Sequence, residues 1–436
     1  MFSLISELNP HQKKSFFAAW AGWAMDGMDS FIYALVLVPA MRDLLPKSGM
    51  EASQANVGAY GALLFALFMI GWGLALLWGP VADRFGRVRT LTFTILWFSA
   101  FTFAAALSTG VWTLAVFRFL AGIGIGGEWA IGASLVNEVW PEKRRGIGSG
   151  LMHTGYYFGF LIAALANYAI TPLLLNIGTY QVPGWRLMFV VGGVPALLVA
   201  WIRRNVEEPA VWENKVVKQL GEKWTANRAF LSAFTPEYRR RTILNSVYML
   251  ASISGLWAGS IYVPTAVRYL AAGRSVSEVE LLVTASGVIL AVGTILGALL
   301  SPFLGDWIGR RGALGFFYGL MLLFIPLAFG HVYYMGPAGL WWFMLCTFFL
   351  GVGGASFAVY SFWLPEQYRT EFRVSAFAFT TNIGRFVGAG ITLALFYGIS
   401  SYGSVGVPVA WTAIAFVLSL VLLPLGVETK GKPLPT

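Results

Sequence analysis

Residues 79–89 read GPVADRFGRVR, and residues 302–311 read PFLGDWIGRR. Each stretch is a polar loop between long apolar runs, and each contains the pattern Asp-x-x-Gly-Arg. The two aspartates, Asp83 and Asp306, are separated by about half the length of the chain. A polar pattern that recurs at such an interval indicates an internal repeat.

A second pattern repeats at nearly the same interval. Glu138 precedes Arg145 by seven positions, and Glu366 precedes Arg373 by the same seven. The interval between these two copies differs from the interval between the two aspartates by only a few positions. Two independent marks at matching intervals predict two homologous halves.

The composition places these halves in a membrane. Of 436 residues, 57% are hydrophobic and 11% are charged, whereas soluble domains carry about 25% charged residues. The single cysteine, Cys346, lies in an apolar stretch, which excludes a disulfide framework and argues against a metal site. We therefore expect an all-α membrane protein without a metal or a cofactor.

Apolar runs of about 20 residues, long enough to cross a bilayer as helices, occur twelve times. Predicted spans 1 to 6 are 15–41, 57–80, 90–108, 111–138, 147–174 and 185–203, and spans 7 to 12 are 242–270, 280–304, 312–331, 338–364, 374–400 and 406–426. The predicted domains are an N-terminal half (1–203), a polar linker (204–241) and a C-terminal half (242–436).

The distribution of basic residues predicts the orientation. If both termini and the linker are cytoplasmic, 23 Lys and Arg residues lie on the cytoplasmic side and five on the opposite side. The positive-inside rule favours this orientation. It also explains the net charge of +10 without a nucleic-acid partner. We expect a multi-pass protein of the inner (plasma) membrane, surrounded by the lipid bilayer.

The first polar loop resembles the loop 2–3 signature of the major facilitator superfamily, and the loop at 306–311 is a weaker copy. The matching residues are Gly79, Asp83, Arg84, Gly86, Arg87 and Arg89. The resemblance implies twelve transmembrane helices in two pseudo-symmetric six-helix bundles that rock about a central site. The second copy has Pro302 in place of the first glycine, which suggests a less tightly packed loop.

Weaker sequence similarities indicate a branch of that family. DGMD (26–29) resembles aromatic-acid/proton symporters, GIGIGGEW (122–129) resembles metabolite and sialate/lactate symporters, and NIGR (382–385) resembles organic-acid carriers. Span 7 lacks the signatures of sugar porters and of fungal lactate permeases. The resemblance implies symport of a small organic anion with a proton, the anion being a monocarboxylate, sialate or an aromatic acid.

The stretch RFLAGIGIGGEWA (118–130) contains Gly122-x-Gly124-x-x-Gly127, the spacing of a dinucleotide-binding loop. That motif requires a preceding strand and an acidic residue about 20 positions later. Here the glycines lie within an apolar span without a polar turn. Gly122 and Gly126 have the small-x-x-x-small spacing that lets a neighbouring helix approach closely, so we predict a packing role.

Five ionisable residues lie within predicted spans, where a charge costs several kcal/mol and marks a functional site by default. They are Asp26 and Asp29 in span 1, Arg118 and Glu128 in span 4, and Arg385 in span 11. The rise per residue of a helix places Asp29 level with Arg118, and Arg385 level with Asp26. We predict a structural ion pair between Asp29 and Arg118, with substrate binding by Arg118 as the alternative.

The other charges suggest a mechanism. The planar guanidinium of Arg385 suits a substrate carboxylate, and Asn382, one turn earlier, is expected to assist. Burial raises the pKa of carboxyl groups in general, so Asp26 or Glu128 is expected to carry a coupling proton, and Asp29 is a third candidate. Further candidates for substrate contact are Tyr156, Tyr157, Tyr248 and Tyr360.

The repeated loop charges predict a gate between the halves. Asp83 and the arginines of 84–89 are expected to bridge helix ends, and Glu138 and Glu366 to pair with arginines across the halves. Such pairs would stabilise the outward-open state and break on inward opening. The candidate gating residues are Asp83, Arg84, Gly86, Arg87, Arg89, Glu138, Arg145, Asp306, Arg310, Arg311, Glu366 and Arg373.

Two other functions remain open at this point. A sugar or polyol porter would require an internal carboxylate partner for Arg385, such as Asp26. A nutrient sensor would bind its ligand without transport. An enzyme is not expected, because the sequence offers no cysteine nucleophile, metal cluster or nucleotide loop. We expect a monomer whose partners are a small organic anion and a proton.

Overall fold

The computed structural model describes residues 7–170, 174–177 and 180–435. Each of the twelve predicted spans contains helix, and the chain is an all-α membrane protein with one short hairpin among the residues described. Seven continuous helical stretches in the described ranges are long and apolar enough to cross a membrane, and the longest, Val276–Gln367, contains spans 8, 9 and 10. Spans 5, 7 and 11 contain helices of 26, 23 and 30 residues.

Capping residues begin several of these helices. Asn9 accepts a hydrogen bond from the Gln12 backbone, and Pro10 at the first helical position lacks an N–H that would be unsatisfied there.

The helices of the N-terminal half follow the predicted spans. Spans 1 to 6 contain Pro10–Lys47 (span 1); Gln54–Leu74, the 3-10 turn Ala75–Leu77 and Trp78–Phe85 (span 2); Arg87–Ala105 (span 3); Val111–Val139 (span 4); Arg145–Ile170 (span 5); and Gly184–Val191 with Pro195–Asn205 (span 6).

The glycine of each Asp-x-x-Gly-Arg loop separates two spans. Gly86, with a φ of 115°, lies between spans 2 and 3, and Gly309, with a φ of 84°, lies between spans 8 and 9. Positive φ values favour glycine, which explains why both copies of the motif have glycine at this position.

The helices of the C-terminal half also follow the predicted spans. Spans 7 to 12 contain Arg239–Ile261 and Val263–Leu270 (span 7); Val276–Ile325 (spans 8 and 9); Leu340–Gly354 and Ser356–Trp363 (span 10); Arg373–Tyr402 (span 11); and Gly406–Trp411, Ile414–Leu422 and the 3-10 turn Leu423–Leu425 (span 12).

The end of span 5 differs from the prediction. The described helix is Arg145–Ile170, residues 171–173 lie outside the described residues, and residue 174 belongs to a strand rather than to the helix. Leu174–Ile177 (β1) pairs antiparallel with Tyr180–Pro183 (β2). Hydropathy alone does not distinguish a short apolar strand from the last turn of an apolar helix. The hairpin lies on the face of the molecule where span 6 begins.

The linker is folded. It contains the helix Ala210–Trp212, a π-helix at Glu213–Leu220, a 3-10 turn at Gly221–Lys223 and the helix Ala226–Ser232. Its Trp212 indole donates to the Asp83 carbonyl at 2.9 Å, and its Trp224 indole donates to the Glu371 carbonyl at 3.1 Å. The linker thus contacts both halves on the face that carries the two repeated loops, which we call the linker side.

The glycines of span 4 pack against span 2. A methyl group at Gly122 would lie 2.5 Å from the Phe68 carbonyl oxygen, and one at Gly126 would overlap Cδ1 of Trp72. Gly351 of span 10 lies equally close to span 8, where a methyl group would overlap the Leu290 carbonyl oxygen. The predicted packing role of these glycines is therefore confirmed, and it is repeated in the second half.

The halves meet along spans 2 and 11 and along spans 5 and 8. A methyl group at Gly79 would lie 2.7 Å from Cα of Ser375, and one at Gly150 would lie 2.8 Å from the Ala298 carbonyl oxygen and 3.1 Å from Cδ of Pro302. Pro302 itself is therefore closely packed, although Asp306 in the second loop is exposed where Asp83 in the first is fully buried. At the second interface the opposing helix, span 5, supplies the small residue.

Candidate functional site

Arg385 lies buried between the halves, with 3% of its surface exposed. Its Nε donates to Oδ1 of Asn382 at 3.2 Å, and its guanidinium carbon lies 3.6 Å from the ring centroid of Trp72. Nη1 is buried without a hydrogen-bond partner in the described structure. Within the described part of the chain, no carboxylate lies within 4.0 Å of this guanidinium.

Asp26 is the second unpartnered group. It is fully buried, and neither carboxylate oxygen accepts a hydrogen bond from the residues that the structure describes. Its charged neighbours are Glu128, Asp29 and Arg385. A buried charge without a hydrogen bond is costly, so this carboxyl group is suited to being protonated, or to meeting a ligand, at some stage.

Glu128 reaches from span 4 to the same face of span 1. Its Oε1 accepts a hydrogen bond from the Thr94 hydroxyl at 2.5 Å, whereas its buried Oε2 has no partner among the described residues. A methyl group at Gly22 would lie 2.6 Å from that Oε2. Gly22 is one helical turn before Asp26, so the two acids approach each other along span 1.

Asp29 and Arg118 form an ion pair. Nη1 of Arg118 lies 3.2 Å from both carboxylate oxygens, and the Thr102 hydroxyl donates to Oδ1 at 2.6 Å. The guanidinium also lies over the Phe68 ring, 4.3 Å from its centroid. Two charged candidates of the sequence thus neutralise each other, and Asp26, Glu128 and Arg385 remain.

Three of the polar residues predicted to contact the substrate lie at the interface between the halves. Asn382 donates across the halves to the Gly126 carbonyl at 3.4 Å, and Tyr156 interacts with Arg385 and Asp26. Tyr157 interacts with Thr294 of span 8.

Two predicted substrate contacts lie elsewhere. The Tyr248 hydroxyl donates to the Leu422 carbonyl at 2.8 Å and lies toward Arg311 on the linker side. The Tyr360 hydroxyl bonds with Tyr318 and Ser252 inside the C-terminal half. Both hydroxyl groups are therefore occupied in the packing of that half, which sequence position alone does not reveal.

A glycine contact between the first and fifth spans occurs in both halves. Gly155 of span 5 packs against Ala24 of span 1, and Gly384 of span 11 packs against Leu250 of span 7. The close approach of these two spans is thus repeated in the second half.

Glu128 has an uncharged counterpart in the second half. Glu128 and Ser356 each lie ten positions before the repeated glutamate that ends span 4 or follows span 10. The hydroxyl oxygens of Ser356 and Ser252 lie 3.3 Å apart. At this position of the repeat, the N-terminal half alone carries a carboxyl group.

A charge network joins the halves on the linker side. The Asp83 carboxylate accepts hydrogen bonds from the backbone N–H groups of Val374 and Ser375 and from the Ser375 hydroxyl, at 3.3, 2.7 and 2.6 Å. It also lies 3.1 Å from Nη1 of Arg87. The repeated aspartate thus caps the start of span 11, in the other half.

Glu138 is the centre of this network. Its carboxylate accepts from Nε and Nη2 of Arg87 at 3.1 and 3.0 Å and from Nη1 of Arg373 at 2.6 Å, and all three side chains are fully buried. Nη2 of Arg87 also donates to the Thr370 carbonyl at 2.7 Å. The structure therefore forms the cross-half pair expected for Glu138.

Glu366 behaves differently. It accepts from Nε and Nη2 of Arg310, in its own half, at 2.9 and 2.8 Å, and Arg145 donates through Nε to the Asn137 carbonyl. Arg145 interacts electrostatically with Glu366, but the two residues form no ion pair within 4.0 Å in the described structure. The pairing across the halves expected for Glu366 is therefore not observed in the described structure.

The chain matches the family model described as Major Facilitator Superfamily over residues 19–362. This chain belongs to the Major Facilitator Superfamily. It is therefore a transporter of that superfamily rather than an enzyme.

Two curated relatives and one solved structure of the superfamily extend this comparison. The chain is 30% identical to the probable 4-methylmuconolactone transporter of Cupriavidus pinatubonensis, covering 99% of this chain and 94% of that protein. It is 29% identical to the sialic acid transporter NanX of Escherichia coli, covering 98% and 96%. The proton:xylose symporter XylE superposes with a TM-score of 0.77 at 17% identity, covering 97% and 98%, which shows the shared fold alone.

Sequence reasoning missed two helix caps of this superfamily member. Glu208 in the linker accepts from the backbone N–H groups of residues 87, 88 and 89 at 2.6, 3.1 and 3.0 Å, at the start of span 3. Glu428, after span 12, accepts from those of Arg310 and Arg311 at 3.0 and 3.2 Å, at the start of span 9. A carboxylate at a helix N-terminus is favourable. The signal was a glutamate shortly after the last span of each half.

The other gating candidates are peripheral. Asp306 is exposed and bonds to Arg310 at 2.9 Å, and Arg311 donates to the Pro424 carbonyl at 2.8 Å. Arg84 lies over the Phe85 ring, 5.6 Å from its centroid, and Arg89 is exposed. These four residues form no hydrogen bond or ion pair across the halves in the described part of the chain.

Proposed function

We propose that this transporter is a symporter that moves a small organic anion together with a proton. The observation that carries the proposal is the Arg385 guanidinium, which is buried between the halves without a carboxylate partner in the described structure. An uncompensated charge in this environment is tolerated where it serves a function. A planar guanidinium fits a carboxylate through two parallel hydrogen bonds.

The relatives support an anionic substrate. The sialic acid transporter NanX is named for a carboxylic acid, and it matches this chain over nearly its whole length. Asn382 orients Arg385 through the Nε hydrogen bond and leaves Nη1 available for a ligand. We therefore assign Arg385 to the carboxylate of the substrate and Asn382 and Tyr156 to its immediate surroundings.

The charge balance gives the proton stoichiometry of the proposal. After Asp29 and Arg118 neutralise each other, two acids, Asp26 and Glu128, face one cation, Arg385. Without substrate, the site is neutral when one acid is protonated. A bound monovalent anion adds one negative charge, and protonation of the second acid restores neutrality. Because charge separation in a low-dielectric interior is costly, we propose one proton for each monovalent anion.

The linker-side network supplies the conformational switch of the proposal. Asp83 and Glu138 hold the start of span 11 only while the halves are closed on this side. We propose that the linker side and both termini are cytoplasmic, and that these contacts break when the transporter opens inward. Alternating access requires such an equilibrium between two packed states.

Uptake into proteoliposomes tests the proposal. The anions are L-lactate, N-acetylneuraminate, 4-hydroxybenzoate and succinate, each measured with and without an inward proton gradient. We expect at least one anion to accumulate in response to the gradient, and monovalent uptake to be insensitive to an imposed membrane potential. Arg385→Ala abolishes uptake, and Asp26→Asn and Glu128→Gln abolish accumulation.

The matched control is Arg268→Ala, which removes an arginine from an exposed ion pair with Glu280. It should leave uptake unchanged, because exposed pairs contribute little. Failure of all four anions to respond to the gradient, or uptake that survives Arg385→Ala, contradicts the proposal. Uptake of neutral sugars that is independent of Arg385 would establish the neutral-solute alternative.

A further inference from the structure

One contact near the centre of the molecule has no role in the function proposed so far. The Arg385 guanidinium of span 11 lies over the Trp72 ring of span 2, with 3.6 Å between Cζ and the ring centroid. The next residues along the two spans also touch, because a methyl group at Gly73 would lie 2.8 Å from the Phe386 ring. The anion-binding arginine of one half therefore rests on a side chain of the other half.

The indole ring is itself held by the glycine stretch of span 4. A methyl group at Gly126 would overlap Cδ1 of Trp72 and lie 2.8 Å from its Nε1, and one at Gly122 would lie 3.0 Å from its backbone nitrogen. Phe68 packs edge-on against the ring at 5.7 Å between centroids. Trp72 is 2% exposed, so it is a fixed platform rather than a mobile wall of the site.

We propose that Trp72 is the positioning residue of the anion site, which fixes the plane of the Arg385 guanidinium so that its Nη1 edge faces the bound carboxylate. This inference rests on the function proposed above. Two contacts define the orientation of the guanidinium. The Nε hydrogen bond to Asn382 sets its direction, and the stack on Trp72 sets its plane. An arginine side chain has several rotatable bonds, so fixing it before the substrate arrives lowers the cost of binding.

The geometry also determines which substrates depend on Trp72. The guanidinium covers one ring face, the edge with Cδ1 and Nε1 packs against Gly126, and Phe68 packs edge-on against the ring. These neighbours, rather than the substrate body, are the contacts of the ring. Loss of Trp72 weakens binding of aromatic and aliphatic carboxylates by the same factor, because each is bound through the same arginine.

The test compares three substitutions by uptake kinetics in proteoliposomes. We expect Trp72→Leu to raise KM about tenfold and Trp72→Phe to raise it about threefold, as a smaller ring retains part of the cation–π attraction. Maximal uptake stays within twofold of the parent, because Arg385 still binds at saturation. The probes are L-lactate and 4-hydroxybenzoate, and both KM values rise equally.

Trp78→Leu is the matched control. Trp78 also belongs to span 2 and also contacts span 4, through a hydrogen bond from its indole to the Ile123 carbonyl at 2.6 Å, but no arginine of the described chain lies over its ring. Its substitution should leave KM unchanged. Thermal denaturation of each variant reports loss of folding, and Trp72→Phe retains the test if Trp72→Leu does not fold.

The outcomes separate the inference from the proposed function. If Arg385→Ala abolishes uptake while Trp72→Leu and Trp72→Phe keep the parent KM, only the positioning role is wrong. A rise in KM for 4-hydroxybenzoate alone would show that the ring contacts the substrate and would overturn the inference. If uptake survives Arg385→Ala, the proposed function fails first.

Discussion

Replacing Glu138 by glutamine should open the linker side of the transporter. Glu138 binds Arg87 of its own half and Arg373 of the other half, and all three side chains are fully buried. The Arg87 contact lies within one bundle, so we expect it to persist in both conformations. Only the 2.6 Å contact with Arg373 is lost on opening, so it alone contributes to the difference between the two states.

The expected magnitude follows from that one contact. A hydrogen bond between charged groups contributes about 1.5–3 kcal/mol. Since about 1.4 kcal/mol corresponds to a factor of ten, Glu138→Gln should shift the equilibrium toward the linker-side-open state by roughly 10- to 100-fold. The substitution keeps the size of the side chain, so packing of the neighbouring helices is retained.

Cysteine labelling of the purified protein measures this shift. Cys346 is replaced by alanine, and Thr370→Cys is the reporter, because Thr370 is fully buried and lies beside Arg87 in the network. We expect maleimide labelling at residue 370 to accelerate at least tenfold in Glu138→Gln.

Glu280→Gln is the control for this experiment, because the pair of Glu280 with Arg268 is about half exposed on both sides. Exposed pairs contribute little, so this variant should label at the parent rate. A rate in Glu138→Gln that stays within twofold of the parent would refute the argument that this contact holds the halves closed.

Three further predictions concern the core, the interface and the tail. Asp29→Asn should lower the melting temperature markedly, because breaking a buried pair with Arg118 costs about 3–5 kcal/mol. Asp26→Asn removes a carboxylate without a partner in the described structure, so it should keep or raise the melting temperature. Thermal denaturation of the two variants distinguishes these outcomes. Gly150→Ala should slow uptake without loss of expression, because its methyl group would lie 2.8 Å from a backbone oxygen of span 8. Burial opposes ionisation of Glu428, but four backbone N–H groups outweigh it and lower its pKa. The stability lost in Glu428→Gln should therefore be full near pH 7 and vanish as the pH falls below the lowered pKa; a melting-temperature difference that persists at low pH would contradict this.

The sequence by itself determined the membrane class, the spans and the repeat. Apolar runs and two polar patterns at matching intervals suffice for these, because helix formation in a bilayer depends on the residues of one segment. The small-x-x-x-small spacing of Gly122 and Gly126 predicted close packing for the same local reason. The level of Arg385 in span 11 likewise follows from counting residues along one helix.

Only the tertiary structure decided which polar groups meet. Glu138 and Glu366 have the same spacing to an arginine, yet only Glu138 pairs across the halves in the described structure. Trp72 gave no signal among 18 tryptophans, because its role depends on an arginine in the other half of the chain. The hydropathy pattern determines that a segment is helical and buried, but the rotation of each helix and the side chain opposite it depend on how all the spans pack together.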